Sequence, residues 1–118
     1  MSSSDSVELP GVSVEKAMKE LSEGVILVDV REQDEWDAGH APGAIFLPLS
    51  ALQERVSELP RDSRLLIVCH SGGRSLRATN FLRSEGLDAV DVEGGMSAWS
   101  AAGGSVVVDS HTANADED

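Results

Sequence analysis

Residues 65–82 read LLIVCHSGGRSLRATNFL, and this stretch decides the fold class. A continuous apolar run ends at Cys69, as is typical of a strand covered on both faces. Small and polar residues follow, and residues 75–86 then show helical apolar spacing that ends at a glycine. A strand, a short loop and a helix in that order predict one unit of a parallel α/β sheet.

The rest of the chain repeats this alternation of short apolar runs with helical patterns. Ser13 and Ser50 are the expected N-caps of two helices, and Pro60 is expected to stop the second. The predicted strands are residues 25–30, 44–48, 64–69 and 89–92. We therefore expect an α/β domain with a central, mainly parallel sheet and helices on both faces.

Length and composition indicate one folded unit. The 118 residues suffice for a single core, predicted over residues 9–108. Residues 1–8 are polar and residues 109–118 are polar and acidic, so both ends are expected to be disordered. The sequence shows no secretory signal and no apolar run near 18 residues, so the expectation is a cytoplasmic protein without membrane contact.

The formal net charge is −12, from 21 acidic and nine basic residues. A field of this sign should repel nucleic acid and anionic membranes, so neither is an expected partner. Two interpretations remain open: a strongly solvated surface that favours solubility, or adaptation to high salt, in which ions screen carboxylate repulsion.

The chain contains a single cysteine, Cys69, which excludes an internal disulfide and a cysteine-based metal site. The three histidines, His40, His70 and His111, lack metal-ligand spacing. No metal and no cofactor are expected. A lone cysteine in a reducing compartment is either inert or catalytic.

The loop after Cys69 favours the catalytic interpretation over a buried thiol at a strand end. Helix N-terminal N–H groups and nearby cations stabilise the thiolate, which is the nucleophilic form. Gly72 and Gly73 let the loop curl so that its N–H groups point inward, and Arg74 adds a permanent cation. The predicted anion-binding loop comprises His70, Ser71, Gly72, Gly73, Arg74 and Ser75.

The sequence resembles the rhodanese family over roughly residues 9–108. CHSGGRS at residues 69–75 is similar to the active-site loop of that family, and LVDVRE at 27–32 to its first core strand. WDAGHAPGA at 36–44 resembles its amino-side signature, and VEGGMSAW at 92–99 its G-G-x-x-x-W segment. Four motifs in order make the resemblance specific.

The resemblance implies sulfur transfer. The thiolate of Cys69 would attack the outer sulfur of thiosulfate, sulfite would leave, and cyanide or a thiol would take the sulfur from the resulting persulfide. The backbone N–H groups of residues 70–75 would hold the sulfur, and Arg74 would steer the anionic donor. His70 occupies a position where arginine is common in the family. Two roles stay open for His70: it activates the Cys69 thiol, or it lies only at the rim of the loop.

Three alternatives accompany this hypothesis. One is a sulfur-relay module that serves a donor or acceptor protein, and another is a binding domain with a silent site. The third is a small cysteine phosphatase or arsenate reductase, whose loops place five residues between cysteine and arginine. Only four residues separate Cys69 from Arg74 here, which favours a bowl the size of one sulfur.

Three residues are assigned supporting roles. Asp29 and Arg31 end a predicted strand, and an ion pair or loop cap is favoured over substrate contact. His40 precedes the turn at Pro42 and Gly43, where a hydrogen-bonding role is favoured over general acid chemistry. Gly94 and Gly95 are expected to allow close backbone packing beneath the site.

Overall fold

A computed structural model describes residues 10–108 of the chain. The segments predicted to be disordered, residues 1–8 and 109–118, lie outside the described residues, as does Leu9. The elements in chain order are β1 (Gly11–Val12), α1 (Val14–Ser22), β2 (Ile26–Asp29), α2 (Gln33–Asp37), β3 (Ile45–Phe46), α3 (Leu49–Arg55), β4 (Arg64–Val68), α4 (Gly73–Ser84), β5 (Asp88–Val92) and α5 (Gly95–Ala101).

The five strands form one sheet in the order β1-β5-β4-β2-β3, and every adjacent pair is parallel. This confirms the predicted α/β fold. Asp29 of β2 lies opposite Val68 of β4, and Ile67 of β4 lies opposite Asp91 of β5. The carboxyl ends of the three central strands are therefore level, which is where parallel α/β sheets bind ligands.

Strand β4 is the centre of the core. Its last four side chains are fully buried, and burying each contributes about 1.5–3 kcal/mol; they are Leu65, Leu66, Ile67 and Val68. The odd-numbered pair packs with residues of α3 and α4, and the even-numbered pair with residues of α1 and α5. Helices thus cover both faces of the sheet, as predicted, and pack on both sides of β4, the strand that leads directly to Cys69.

One of the two predicted N-caps is confirmed and the other is wrong. The hydroxyl of Ser13 accepts a hydrogen bond from the backbone N–H of Lys16 (3.1 Å) at the start of α1. Ser50 lies inside α3, because Pro48 takes the N-cap position with φ −63°. The hydroxyl of Ser50 instead donates to Glu32 Oε1 (2.9 Å).

Further differences from the predictions concern α4, β1 and β3, the last of which spans Ile45–Phe46 and not residues 44–48. Helix α4 begins at Gly73 and not at Ser75, so the end of the predicted loop forms the first helical turn. Strand β1 was not predicted, because two residues are too short to show alternation. Across residues 10–108, no helix combines the length and apolar character that crossing a membrane requires.

Candidate active site

The backbone of Cys69 is fixed from below by helix α5. Cys69 follows β4 directly and is 1% exposed. Its carbonyl accepts from the N–H of Met96 (2.7 Å), and the carbonyl of His70 accepts from the N–H of Ser97 (2.9 Å). The first turn of α5 therefore forms a main-chain floor beneath the loop.

Only glycine fits where this floor meets the loop. Gly95 has a φ of +60°, and a Cβ there would lie 2.6 Å from His70 O and still closer to Cys69 O. Real Cβ atoms do not approach backbone oxygens this closely, so any side chain would separate α5 from the loop. The close backbone packing predicted for this glycine is present in the structure.

The sulfur of Cys69 accepts a hydrogen bond from the main chain of its own loop. Gly72 N donates to Sγ at 3.0 Å, and Gly72 itself has a φ of +132°, which curls the loop. Because α4 starts at Gly73, the N–H groups of its first turn have no acceptor within the helix. The positive end of the α4 dipole therefore lies on the side of the loop that holds the sulfur.

Arg74 forms an ion pair that sequence reasoning missed. Its Nη1 and Nη2 donate to the two carboxylate oxygens of Glu35 on α2, at 2.6 and 2.7 Å. Hydrogen bonding to Arg74 lowers the pKa of Glu35 to about 2, and the same bond raises the pKa of Arg74 above its usual range. The pair joins α2 to the start of α4, with two of the five guanidinium N–H donors.

A local signal pointed to Glu35 but not to its partner. Glu35 Oε1 also accepts from the backbone N–H of Glu32 (3.0 Å), an N-cap contact that an E-x-x-E pattern before a helix suggests. The pairing with Arg74 crosses 39 residues of sequence, so only the tertiary fold brings the two groups together.

Asp29 and Arg31 form a buried ion pair at the end of β2. Arg31 Nε and Nη2 donate to the Asp29 carboxylate at 3.0 and 2.8 Å, and the two side chains are 7% and 1% exposed. Arg31 Nη2 also donates to the carbonyl of Gly39 (2.8 Å). The geometry ties β2 to the segment before His40 and supports the structural role expected for both residues.

His40 and His70 occupy different environments. The ring of His40 stacks on Trp36 with centroids 3.6 Å apart, and its Nδ1 lies 3.1 Å from Trp36 O. The backbone of His40 also pairs with Val107 in an antiparallel bridge. These contacts support a structural role for His40. His70 and Ser71, by contrast, are exposed on the rim of the loop.

A buried polar pair lies behind the sulfur. Ser75, in the first turn of α4, is fully buried, and its Oγ lies 3.3 Å from Cys69 Sγ. The same oxygen lies 2.5 Å from Oδ1 of Asp91, which is 4% exposed. Burial raises the pKa of Asp91, although the Ser75 hydrogen bond lowers it. Asp91 was not predicted, because it looked like one member of an ordinary strand.

A cavity of about 370 Å³ lies beside the loop. It combines polar groups with small apolar ones, and its lining is Arg31, Glu35, Ala38, Gly39, His70, Met96, Ser97, Ser100 and Val106. Within the described part of the chain, no cluster of three histidine, cysteine or acidic side chains could hold a metal ion.

Comparison with known proteins identifies the family. The family model for the rhodanese-like domain matches residues 13–102, which is most of the chain. The chain belongs to the rhodanese-like family. A crystal structure of a rhodanese-related protein from Thermoplasma volcanium superposes with a TM-score of 0.81 and 33% identity, covering 85% of this chain and 99% of that one.

Two curated relatives show what the family does. A protein named "Sulfurtransferase" from Allochromatium vinosum is 39% identical over 83 residues, or 70% of this chain and 78% of its own. "Putative sulfur carrier protein YrkF" from Bacillus subtilis is 34% identical over 101 residues, or 83% of this chain. The chain spans 55% of the length of YrkF. Sulfur transfer is thus supported at the level of the family.

Proposed function

We propose that this chain is a sulfurtransferase that carries sulfane sulfur as a persulfide on Cys69. Thiosulfate is the proposed donor, and cyanide or a thiol is the proposed acceptor. Cys69 Sγ forms a bond to the outer sulfur of thiosulfate, the bond from that sulfur to sulfite breaks, and sulfite leaves with the electron pair. The acceptor then attacks the outer sulfur of the persulfide, which returns the thiolate.

The observation that carries this proposal is the contact of Gly72 N with Cys69 Sγ at 3.0 Å. It places the sulfur inside a curled loop whose neighbouring N–H groups are free of helical acceptors. Four residues separate Cys69 from Arg74, which leaves a small bowl. Main-chain donors around a sulfur-sized space suit a terminal persulfide anion.

Arg74 is proposed to attract the anionic donor and the leaving sulfite. Its pair with Glu35 occupies two guanidinium donors and leaves the others for a ligand. Glu35 is ionised at neutral pH, so the net charge of the pair is zero, and Arg74 would act through its remaining N–H donors, held in a fixed position. The exposed His70 and Ser71 would complete the rim.

The direct test is an intact-mass measurement after incubation with thiosulfate. The expected result is a gain of one sulfur atom, which is lost on addition of cyanide and absent in Cys69→Ser. Because the chain has one cysteine, the adduct reports on that residue alone. A protein that gains no sulfur would exclude thiosulfate as donor, and turnover of phosphate esters instead would overturn the assignment.

A second candidate function is a sulfur relay between proteins, favoured by the relative named as a sulfur carrier. Here the donor would be the persulfide of a desulfurase and the acceptor a partner protein. The two candidate functions are distinguished by comparing the rate at which Cys69 is loaded with sulfur from thiosulfate with the rate at which it is loaded from a desulfurase. A relay predicts that the second is much faster.

A further inference from the structure

The buried groups behind Cys69 form a continuous chain that the proposed reaction does not yet use. Cys69 Sγ, Ser75 Oγ and Asp91 Oδ1 follow one another at 3.3 and 2.5 Å. All three side chains are at most 4% exposed. A buried carboxyl group linked to a nucleophile by a single hydroxyl can exchange a proton with it without solvent.

We propose that Asp91 is a positioning residue that acts through Ser75 to set whether Cys69 is held as a thiol or as a sulfur anion. This proposal rests on the proposed sulfur transfer, which needs the anion. It adds Asp91, on a different strand from the cysteine, to the groups that govern the reaction.

The hydroxyl of Ser75 carries one proton and therefore donates in one direction at a time. With Asp91 ionised, Ser75 donates to Asp91 and accepts from the Cys69 thiol. With Asp91 protonated, the carboxyl donates to Ser75, which then donates to the sulfur anion. Ser75 Oγ also lies 3.2 Å from Gly72 O, which is a longer contact than the one with Asp91.

The two states differ only in the position of protons. The S–H bond of Cys69 breaks as its proton passes to Ser75 Oγ, and the former Ser75 proton forms an O–H bond on Asp91. No electron changes centre and no further reactant is needed. The net charge of the triad of side chains is −1 in both states, so the transfer separates no charge.

The surroundings of Asp91 shift this carboxyl group toward its protonated form, although the hydrogen bond from Ser75 opposes the shift. Burial raises the pKa of Asp91, and the nearby Glu93 raises it further. On the sheet, Asp91 lies between Gly11 of β1 and Ile67 of β4, neither of which brings a charge. On the sulfur side, the facing cation is Arg74 of α4, which is itself paired with Glu35 of α2.

The test is the pH dependence of Cys69 alkylation by iodoacetamide, which reports the thiolate fraction at this single cysteine. Asp91→Asn keeps a hydrogen-bonding side chain but removes the negative charge and donates to Ser75. The expected result is a fall of about one pH unit or more in the midpoint. Asp88→Asn, an exposed change on the same strand, is the matched control and should leave the midpoint in place.

Ser75→Ala tests the link itself. It should raise the alkylation midpoint, because the thiolate loses the hydroxyl donor. When Asp91→Asn is added to Ser75→Ala, it should shift the midpoint much less than it does in the wild-type protein. A merely structural role would change the melting temperature of these variants but not their midpoints. If Asp91→Asn folds and its alkylation midpoint stays at the wild-type pH, the proposal is wrong. If Asp91→Asn does not fold, an unchanged midpoint in Ser75→Ala overturns the proposal instead. The alkylation profile needs no sulfur donor, so its outcome is independent of the thiosulfate test.

Discussion

The Glu35–Arg74 ion pair shows how one contact can serve both stability and chemistry. Each side chain is 29% exposed, so the pair is partly shielded from solvent and partly open to a ligand. The carboxylate holds the guanidinium in a bidentate geometry at the start of α4. Arg74 therefore presents a fixed cation at the edge of the bowl rather than a flexible one.

Replacing Arg74 tests the chemical part of this role. Arg74→Ala should slow persulfide formation from thiosulfate by about tenfold or more, because the donor loses its cation. The free energy of unfolding should fall by about 1–3 kcal/mol, because the ion pair with Glu35 is lost. Timed, quenched assays of persulfide formation measure the rate, and urea denaturation measures the free energy of unfolding. Arg55→Ala, which breaks the exposed pair with Glu58, is the control; equal losses of rate in both variants would refute the role of Arg74.

Acid should remove the stabilisation that Glu35 provides. The folded pKa of about 2 lies below the ordinary 4.5, so the contribution is complete above pH 4.5 and is lost as pH falls toward 2. At pH 7 we expect Glu35→Gln to be less stable than the parent by about 1–3 kcal/mol. Urea denaturation at pH 7, 4 and 3 should show this difference shrinking. Glu54→Gln, at an exposed helix position, controls for net charge, and a pH-independent difference would count against the pair.

At the scale of elements, the site is assembled where two helix starts meet. Gly72, the N-cap residue of α4, donates its N–H to the sulfur of Cys69, whereas α5 directs N–H groups to the carbonyls of Cys69 and His70. The loop is therefore held from both sides by main-chain atoms. Gly95 makes this possible, because it lets α5 start in contact with the loop.

Gly95→Ala should disturb the loop strongly. The added methyl group meets two backbone carbonyls, so we expect the free energy of unfolding to fall by about 3 kcal/mol or more, and sulfur loading to slow. Gly43→Ala is the matched control, because Gly43 also has a positive φ (+78°) but no atom within 4 Å of its Cβ position. It should cost about 1–2 kcal/mol, from strain alone. If urea denaturation shows the same loss of unfolding free energy in Gly95→Ala and Gly43→Ala, the close contact at Gly95 is contradicted.

Elements with long apolar runs were predictable from sequence, and short ones were not. Strand β4 and helix α4 have enough residues to show their periodicity, and the lone Cys69 between them marked the site. Strand β1 has two residues, and Ser50 fitted the N-cap pattern that Pro48 in fact fills. The local sequence alone predicts short strands and helix caps poorly, because tertiary contacts decide which of several possible start or end residues is used.

Partners of site residues were harder to predict than the residues themselves. The motif around Cys69 identified the loop, but Glu35 and Asp91 came from segments 34 residues before and 22 after that cysteine. Their roles depend on the level carboxyl ends of the strands and on where α2 begins. A single sequence gives the order of strands along the chain but not which polar side chains face one another across them.

At the scale of the molecule, charge is the dominant property. A net charge of −12 on 118 residues makes the folded state repel itself, and Arg74 of the candidate site lies within that negative field. The proposed donor thiosulfate, being an anion, would therefore approach against a general repulsion. Added salt weakens that repulsion, so both stability and reaction with anions should depend on ionic strength.

We expect the melting temperature to rise as sodium chloride increases from about 0.01 to 1 M, over which the screening length falls from about 30 to 3 Å. Calorimetric melting at constant pH measures this. The chloride salt is used because sulfate stabilises proteins generally through exclusion from the surface. A melting temperature that stays level or falls would exclude adaptation to high salt and leave solubility as the reason for the charge.

The main-chain floor beneath Cys69 has a consequence for the evolution of this site. Since the carbonyls of Cys69 and His70 are anchored by backbone N–H groups, the position of the sulfur does not depend on which side chains the rim carries. His70 and Ser71 are exposed and can be exchanged without moving the sulfur of Cys69. If the proposed function holds, selection could therefore change the preferred sulfur donor or acceptor at these two positions without moving the sulfur of Cys69.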